Sequence, residues 1–260
     1  VTGRHVLVTG AAGGIGLACA EAFAARGDRV TGVDAREVEL AEAMTALAER
    51  HGVPTAAFAV DLARPDCGDV VASAAAAQGP VDVLVNAAGI YPATPFDQLT
   101  AETWDRVQHV NVRAPLLLTV ALGAQEPAAR AVVNISSGAA TRARPGAAHY
   151  CTSKAALEMV TRACAVELAH RGTRVNAVAP GFVEVDSSVN PVTDEYADAV
   201  SANPLGRKGR PAEIAAAVVW LAGEEASFAT GSVLRVDGGA TAGTTQLPLH
   251  YPTSTSLQSA

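Results

Sequence analysis

Seven short, almost wholly apolar runs recur along the chain and constrain its fold more than any other feature: HVLVT (5–9), RVTGVD (29–34), TAAFAV (55–60), VDVLVN (81–86), AVVNIS (131–136), RVNAVA (174–179) and SVLRVD (232–237). Runs of this length without strict apolar–polar alternation suit strands covered on both faces, as in parallel sheets. Longer helical patterns lie between them and close at Gly27, Gly52, Gly79 and Gly172, where a left-handed residue ends a helix with little strain. His170 and Arg171, just before Gly172, complement a helix C-terminus. Strand and helix alternating in this way predict βαβ units with right-handed crossovers, hence an α/β doubly wound domain of Rossmann type.

A chain of 260 residues, 49% hydrophobic, supports one large core rather than two. Residues 1–240 are expected to form one nucleotide-binding catalytic domain. Two segments break the rhythm. Residues 182–210, rich in Pro, Asn and Asp with a helical patch near 194–202, have the length of a substrate lid. The tail 241–260 contains LPLHYP (247–252), apolar enough to be expected to dock, with a subunit boundary as the candidate place.

A formal charge of -7 without a Lys/Arg block argues against nucleic acid and anionic membrane as partners and favours a small molecule. Cys19, Cys67, Cys151 and Cys164 form no CxxC pair and no zinc-type spacing with the six histidines, so neither a disulfide framework nor a metal is expected. No apolar run approaches the ~20 residues that span a bilayer, and no charged leader precedes the first strand, so the expected location is the cytoplasm.

The first strand runs into TGAAGGIG and then an amphipathic helix, with glycines at 10, 13, 14 and 16. A helix N-terminus with little side-chain bulk and unpaired N–H groups is a pyrophosphate site. The spacing differs from GxGxxG, and the strand before and helix after it supply the specificity. Asp34 ends the second strand near the offset at which an acid accepts from the adenosine ribose; its carboxylate repels a 2′-phosphate, favouring NAD over NADP. Arg36, two residues on, is the candidate that would favour NADP instead. Asp61 and Leu62 follow the third strand, placed for the adenine amine and ring, and NAAG (86–89) follows the fourth, where small residues let backbone approach a ligand.

HYCTSK (149–154) places Tyr150 and Lys154 one helical turn apart on one face. A phenol with pKa about 10 is a poor base at neutral pH. The Lys154 ammonium and an oxidised nicotinamide are expected to lower it towards 7, which takes roughly 4 kcal/mol. Ser137, at the end of strand five, can then bond the substrate oxygen while Tyr150 relays the proton.

TGAAGGIG, NAAG, Asn111, Ser137, YCTSK, NAVAPG (176–181), PLGRKGRPAEIA (204–215) and VDGG (236–239) together resemble the short-chain dehydrogenase/reductase family over residues 4 to about 240. The resemblance implies a seven-stranded parallel sheet flanked by helices, usually in a homotetramer. It also implies a catalytic tetrad of Asn111, Ser137, Tyr150 and Lys154, in which Asn111 holds a water in a relay to Lys154 and Lys154 contacts the nicotinamide ribose. Thr9, Gly10, Gly13, Gly14, Ile15 and Gly16 match the phosphate turn, and Asp34 the NAD-selecting acid. Asp61, Leu62, Asn86, Ala87 and Gly89 match the adenosine side; Pro180, Gly181 and Val183 would support the nicotinamide. One departure concerns Val185, where family members commonly carry Thr; Asp186, Ser187 or Ser188 are the candidates to replace its hydroxyl.

A looser similarity of residues 89–107 and 225–239 to members acting on secondary alcohols, and a lining of Ala139, Ala140, His149, Phe182 and Val185, predict a mainly apolar pocket for a cyclic, aromatic or otherwise apolar alcohol or ketone. His149 fits a structural or solvent-facing role better than a substrate contact. The rival enzyme is an NADPH-dependent 3-oxoacyl-thioester reductase, whose acyl-carrier partner would use a basic patch of Arg142, Arg144, Arg207, Lys208 and Arg210. A nucleotide-sensing scaffold without turnover is the rival from another class, and the presence of all four reacting groups weighs against it.

Overall fold

Successive side chains of a strand point to opposite faces, and the apolar runs use both. Val6 and Val8 of β1 (His5–Thr9) pack on one side while Leu7 packs on the other; Val83 and Val85 against Leu84 in β4 (Val83–Asn86) repeat the division. The computed structural model describes residues 3–185 and 193–243. The remaining strands are β2 (Arg29–Asp34), β3 (Thr55–Ala59), β5 (Ala131–Ile135), β6 (Arg174–Pro180) and β7 (Val233–Val236). All pair parallel in the order β3-β2-β1-β4-β5-β6-β7, a Rossmann-like seven-stranded sheet.

One face is covered by α1 (Gly14–Ala24), α2 (Glu37–His51) and α8 (Pro211–Ala222), the other by α3 (Cys67–Ala76), α5 (Ala114–Ala124) and α6 (Ala148–Leu168). Two shorter helices, α4 (Ala101–Gln108) and α7 (Asp194–Ser201), complete the set among the described residues. The four glycines expected to close helices all have positive φ; Gly52 is the left-handed C-cap of α2, its N–H bonded to Ala48 O.

Two sequence expectations need correction. Burial on both faces holds for the five inner strands, but β3 and β7 lie at the edges and are half exposed. The fourth strand begins at Val83, not Val81. Asp82 is taken by the start of β1, its N–H donating to His5 O and its carboxylate accepting from His5 N. The helical patch of the expected lid is α7. The LPLHYP segment of the tail lies outside the described residues, as do Asp186, Ser187 and Ser188.

Candidate active site

The strand order reverses between β1 and β4, and the crevice outside the carboxyl ends of a sheet at such a point is where ligands bind in this architecture. From β1 the chain turns at Gly10, φ 71°, into α1. A Cβ on Gly16 would lie 2.1 Å from Gly10 O, and one on Gly10 would lie 2.9 Å from Ala88 Cα, so this turn closes only on glycine. No side chain caps α1 and no acid occupies its first turn. The leading N–H groups therefore suit an anion, and the turn fits the pyrophosphate of a dinucleotide.

Thr9 is a clasp at the reversal: its Oγ1 accepts from the N–H groups of Ala87 and Ala88, both at 3.1 Å, tying β1 to β4. Asp34 is nearly buried, with Oδ2 accepting from Ala12 N and Oδ1 from Arg36 N, each at 3.1 Å. The Arg36 guanidinium closes on the same carboxylate through Nε and Nη2, both at 3.2 Å. Its Nη2 also lies 3.5 Å from where a Cβ on Gly13 would be, above the glycine turn. Asp61 is exposed, accepting from Ala63 N at 2.9 Å and from Arg106 at 3.4 Å, while Leu62 is buried in the apolar cluster with Leu7 and Val33. Buried Asn86 donates to Asn134 Oδ1 at 2.8 Å, and its own Oδ1 has no partner among the described residues.

Ser137, Tyr150 and Lys154 line one cavity of about 480 Å³ together with Ile15, Ala87, Gly89, Pro180, Gly181 and Val183. The Ser137 side chain lies close to the Tyr150 phenol, and its Oγ accepts from Ala139 N at 3.1 Å. Lys154 Nζ lies 5.8 Å from the Tyr150 ring centre and donates to Ile135 O at 2.7 Å. Asn111 occupies a π-helical turn, His109–Arg113, between α4 and α5. Its Oδ1 accepts from Ile90 N, and its Nδ2 donates to Ile90 O and Ser153 Oγ. A Cβ on Gly89 would be 3.5 Å from both Asn111 Oδ1 and Lys154 Nζ, so the four expected reacting groups share one locus.

The electrostatics of the protein's own residues bear on the expected lowering of the phenol. Burial pushes the Tyr150 phenol up to about 12; the Ser137 hydrogen bond and then the Arg144 guanidinium act against that rise. Burial likewise lowers the Lys154 ammonium to about 8. Lys154 donates to Ile135 O and does not by itself bring the phenol towards 7, because desolvation dominates at both side chains. The second cation at the ring is Arg144, its Cζ 5.5 Å from the Tyr150 ring centre.

The pocket is also less apolar than its expected lining. Ala139, Phe182 and Val185 do line it, but so do Tyr91, Arg142, Arg144 and Asp237, while Ala140 and His149 do not. His149 is buried, its Nε2 3.5 Å from Thr94 Oγ1. Of the five cations offered as a basic patch, Arg142 and Arg144 line the cavity and Lys208 lies over its Phe182 ring while 3.8 Å from Asp198; Arg207 bonds Glu213 at 2.6 and 2.9 Å, and Arg210 lies 3.8 Å from Glu213. From the lid segment, Val183 pairs with Gly209, and Ala199 and Ala202 reach the cavity. Buried Glu158, one turn beyond Lys154, accepts from Ser136 Oγ at 3.0 Å and braces the residue before Ser137; its i+4 spacing from Lys154 was the available sequence signal.

Residues 10–241 match the family model described as enoyl-(acyl carrier protein) reductase. The galactitol 2-dehydrogenase (L-tagatose-forming) of Cereibacter sphaeroides is 41% identical over 248 residues, 92% of this chain and 95% of that protein. The 3beta-hydroxysteroid dehydrogenase 1 of Eggerthella lenta is 36% identical over 247 residues, 92% and 94% of the two chains. The crystal structure of L-sorbose reductase from Gluconobacter frateurii, complexed with NADPH and L-sorbose, superposes with a TM-score of 0.85 at 29% identity, covering 94% of this chain and 98% of that one. Relatives this similar over nearly their whole length, on the same sheet, place the chain in the short-chain dehydrogenase/reductase family of NAD(P)-dependent oxidoreductases.

Proposed function

We propose that the protein interconverts a secondary alcohol and its ketone, with NAD as the dinucleotide and Tyr150 as general acid/base. The observation that carries this reading is the meeting of Tyr150, Ser137 and Lys154 in one cavity beside the uncapped N-terminus of α1. The dinucleotide, when bound, supplies the hydride acceptor or donor. Tyr150 holds or moves the proton of the substrate oxygen, Ser137 orients that oxygen, Lys154 keeps positive charge against the ring, and Asn111 holds Ile90 and Ser153 in place behind them. A phenol near 12 holds its proton at neutral pH and so is available as the donor, whereas using it as a base at pH 7 requires about 7 kcal/mol of added stabilisation. Ketone reduction should therefore run at neutral pH, and alcohol oxidation should accelerate with rising pH.

NAD is preferred because the Asp34 carboxylate is fixed by two backbone N–H groups at the end of β2, where a 2′-phosphate would meet it. Arg36 supports the opposite choice, and the L-sorbose reductase neighbour carries NADPH. The reading extends to a cytoplasmic homotetramer. Exposed apolar side chains support the assembly: Leu116 and Val120 on α5, Met159 and Val166 on α6, and Trp220 on α8.

Steady-state assays with a panel of secondary alcohols and ketones, using NAD(H) and NADP(H), test both parts. Wild type should turn over with NAD, and Tyr150→Phe should lose about 10²–10⁴-fold in kcat. Equal activity of Tyr150→Phe removes the acid/base assignment; a wild-type preference for NADP removes the Asp34 argument and assigns Arg36 to the phosphate.

A further inference from the structure

We propose that Glu158 is a positioning residue of the reaction: it fixes the register of α6 on the end of β5, and with it the placement of Tyr150 and Lys154 against Ser137. The inference rests on the alcohol–ketone reading of the cavity, in which these three groups serve one reacting oxygen. They come from two elements. Tyr150 and Lys154 lie on α6, whereas Ser137 follows the end of β5. Apolar packing between a helix and a sheet is non-directional, so bonds with a preferred direction must set how far one lies along the other.

The end of the strand is held by the sheet, since Ser136 N donates to Val178 O of β6 at 2.7 Å. The Ser136 hydroxyl then donates to Glu158 Oε1 at 3.0 Å, and both residues are buried. Two further rungs join the same elements: Lys154 Nζ donates to Ile135 O at 2.7 Å, and Asn134 Nδ2 donates to Thr161 Oγ1 at 2.9 Å. The Ser136–Glu158 rung links the neighbour of Ser137 to the turn after Lys154, so it stands nearest the reacting groups without taking part in their chemistry. A hydroxyl bonded to a carboxylate makes a stronger contact than a neutral pair. Burying a carboxylate costs free energy that an apolar side chain of similar size avoids, and register is the best-attested reason for a fold to retain one. Arg162 does not supply another reason: its guanidinium is exposed and 3.7 Å from Glu158 Oε2, a pairing that contributes little. A displacement of about 1 Å among reacting groups can cost about 10²-fold in rate.

The test compares wild type with Glu158→Met, Glu158→Gln, Ser136→Ala and the Ser136→Ala, Glu158→Met double variant. For each, kcat and KM are measured with a ketone that wild type reduces and the dinucleotide it prefers, and the affinity for that dinucleotide is read by fluorescence titration. Ser136→Ala deletes a single buried oxygen, so it carries the test if Glu158→Met does not fold. Ser136→Ala and Glu158→Met should each lower kcat by about 10–100-fold, with KM and dinucleotide affinity changed by less than about threefold. Glu158→Gln, whose amide oxygen still accepts from Ser136, should recover most of that loss, and the double variant should lose no more than the worse single one. Four results overturn the positioning role: wild-type kcat in either single variant, dinucleotide affinity falling as far as kcat, a Glu158→Gln loss as large as that of Glu158→Met, or losses that multiply in the double variant. Each leaves the acid/base reading to Tyr150→Phe. If no alcohol or ketone is turned over, that reading fails on its own, and crystal structures of wild type and Ser136→Ala decide the register. A separation of Ser137 Oγ from the Tyr150 phenol oxygen altered by about 1 Å supports it, and an unchanged separation overturns it.

Discussion

Lys154 is buried at 4% exposure, and among the described residues its ammonium donates to Ile135 O and lies against the Tyr150 ring. Its pKa of about 8 in the folded chain, against 10.5 for an ordinary lysine, makes a stability prediction with a definite sign. Below about 8 both folded and unfolded chains hold the proton, and the fold bears the full desolvation cost; between 8 and 10.5 only the unfolded chain still holds it. Wild type should therefore gain about 1 kcal/mol on Lys154→Met between roughly pH 7.5 and pH 9, read from paired thermal melts. A pH-independent difference would show that the ammonium is not desolvated. Tyr150 and Lys154 were legible in the sequence because an i, i+4 pair fixes its own geometry on any helix. Arg144 was read only as part of a basic patch for an acyl-carrier partner; its place at the tyrosine ring was not legible, because nothing local tells an irregular connection between β5 and α6 to fold back over it.

At the scale of elements, the β1–turn–α1 unit carries the sharpest steric demand. Gly16→Ala puts a methyl 2.1 Å from Gly10 O, so the turn must open. The variant should lose about 1–3 kcal/mol of stability, read by calorimetry, and its affinity for NADH should fall at least tenfold, read by fluorescence titration. Unchanged NADH affinity would remove this turn from the nucleotide site. Strand positions were legible to within two residues because a parallel sheet requires continuous apolar runs, and the edge strands differ only because burial depends on neighbours that a single run does not encode. The π turn that holds Asn111 was illegible for a related reason: an extra residue in a helical turn leaves the hydrophobic period almost unchanged while re-aiming one side chain.

For the whole molecule, exposed apolar side chains on α5, α6 and α8, together with fully exposed Phe228, support the proposed assembly. Light scattering after size exclusion should give a tetramer for wild type and smaller species for a Met159→Glu, Val166→Glu double variant; a monomeric wild type would end that reading. The seam between β1 and β4, stitched by Thr9, has a further consequence. Asp34 lies at the end of β2 and Ser137 just beyond the end of β5, three strand spacings apart across that seam, or about 14 Å. Changes so far apart rarely couple energetically. Redox-carrier choice and fuel choice should thus be separately adjustable, one on each side of a hydroxyl-buttoned divide.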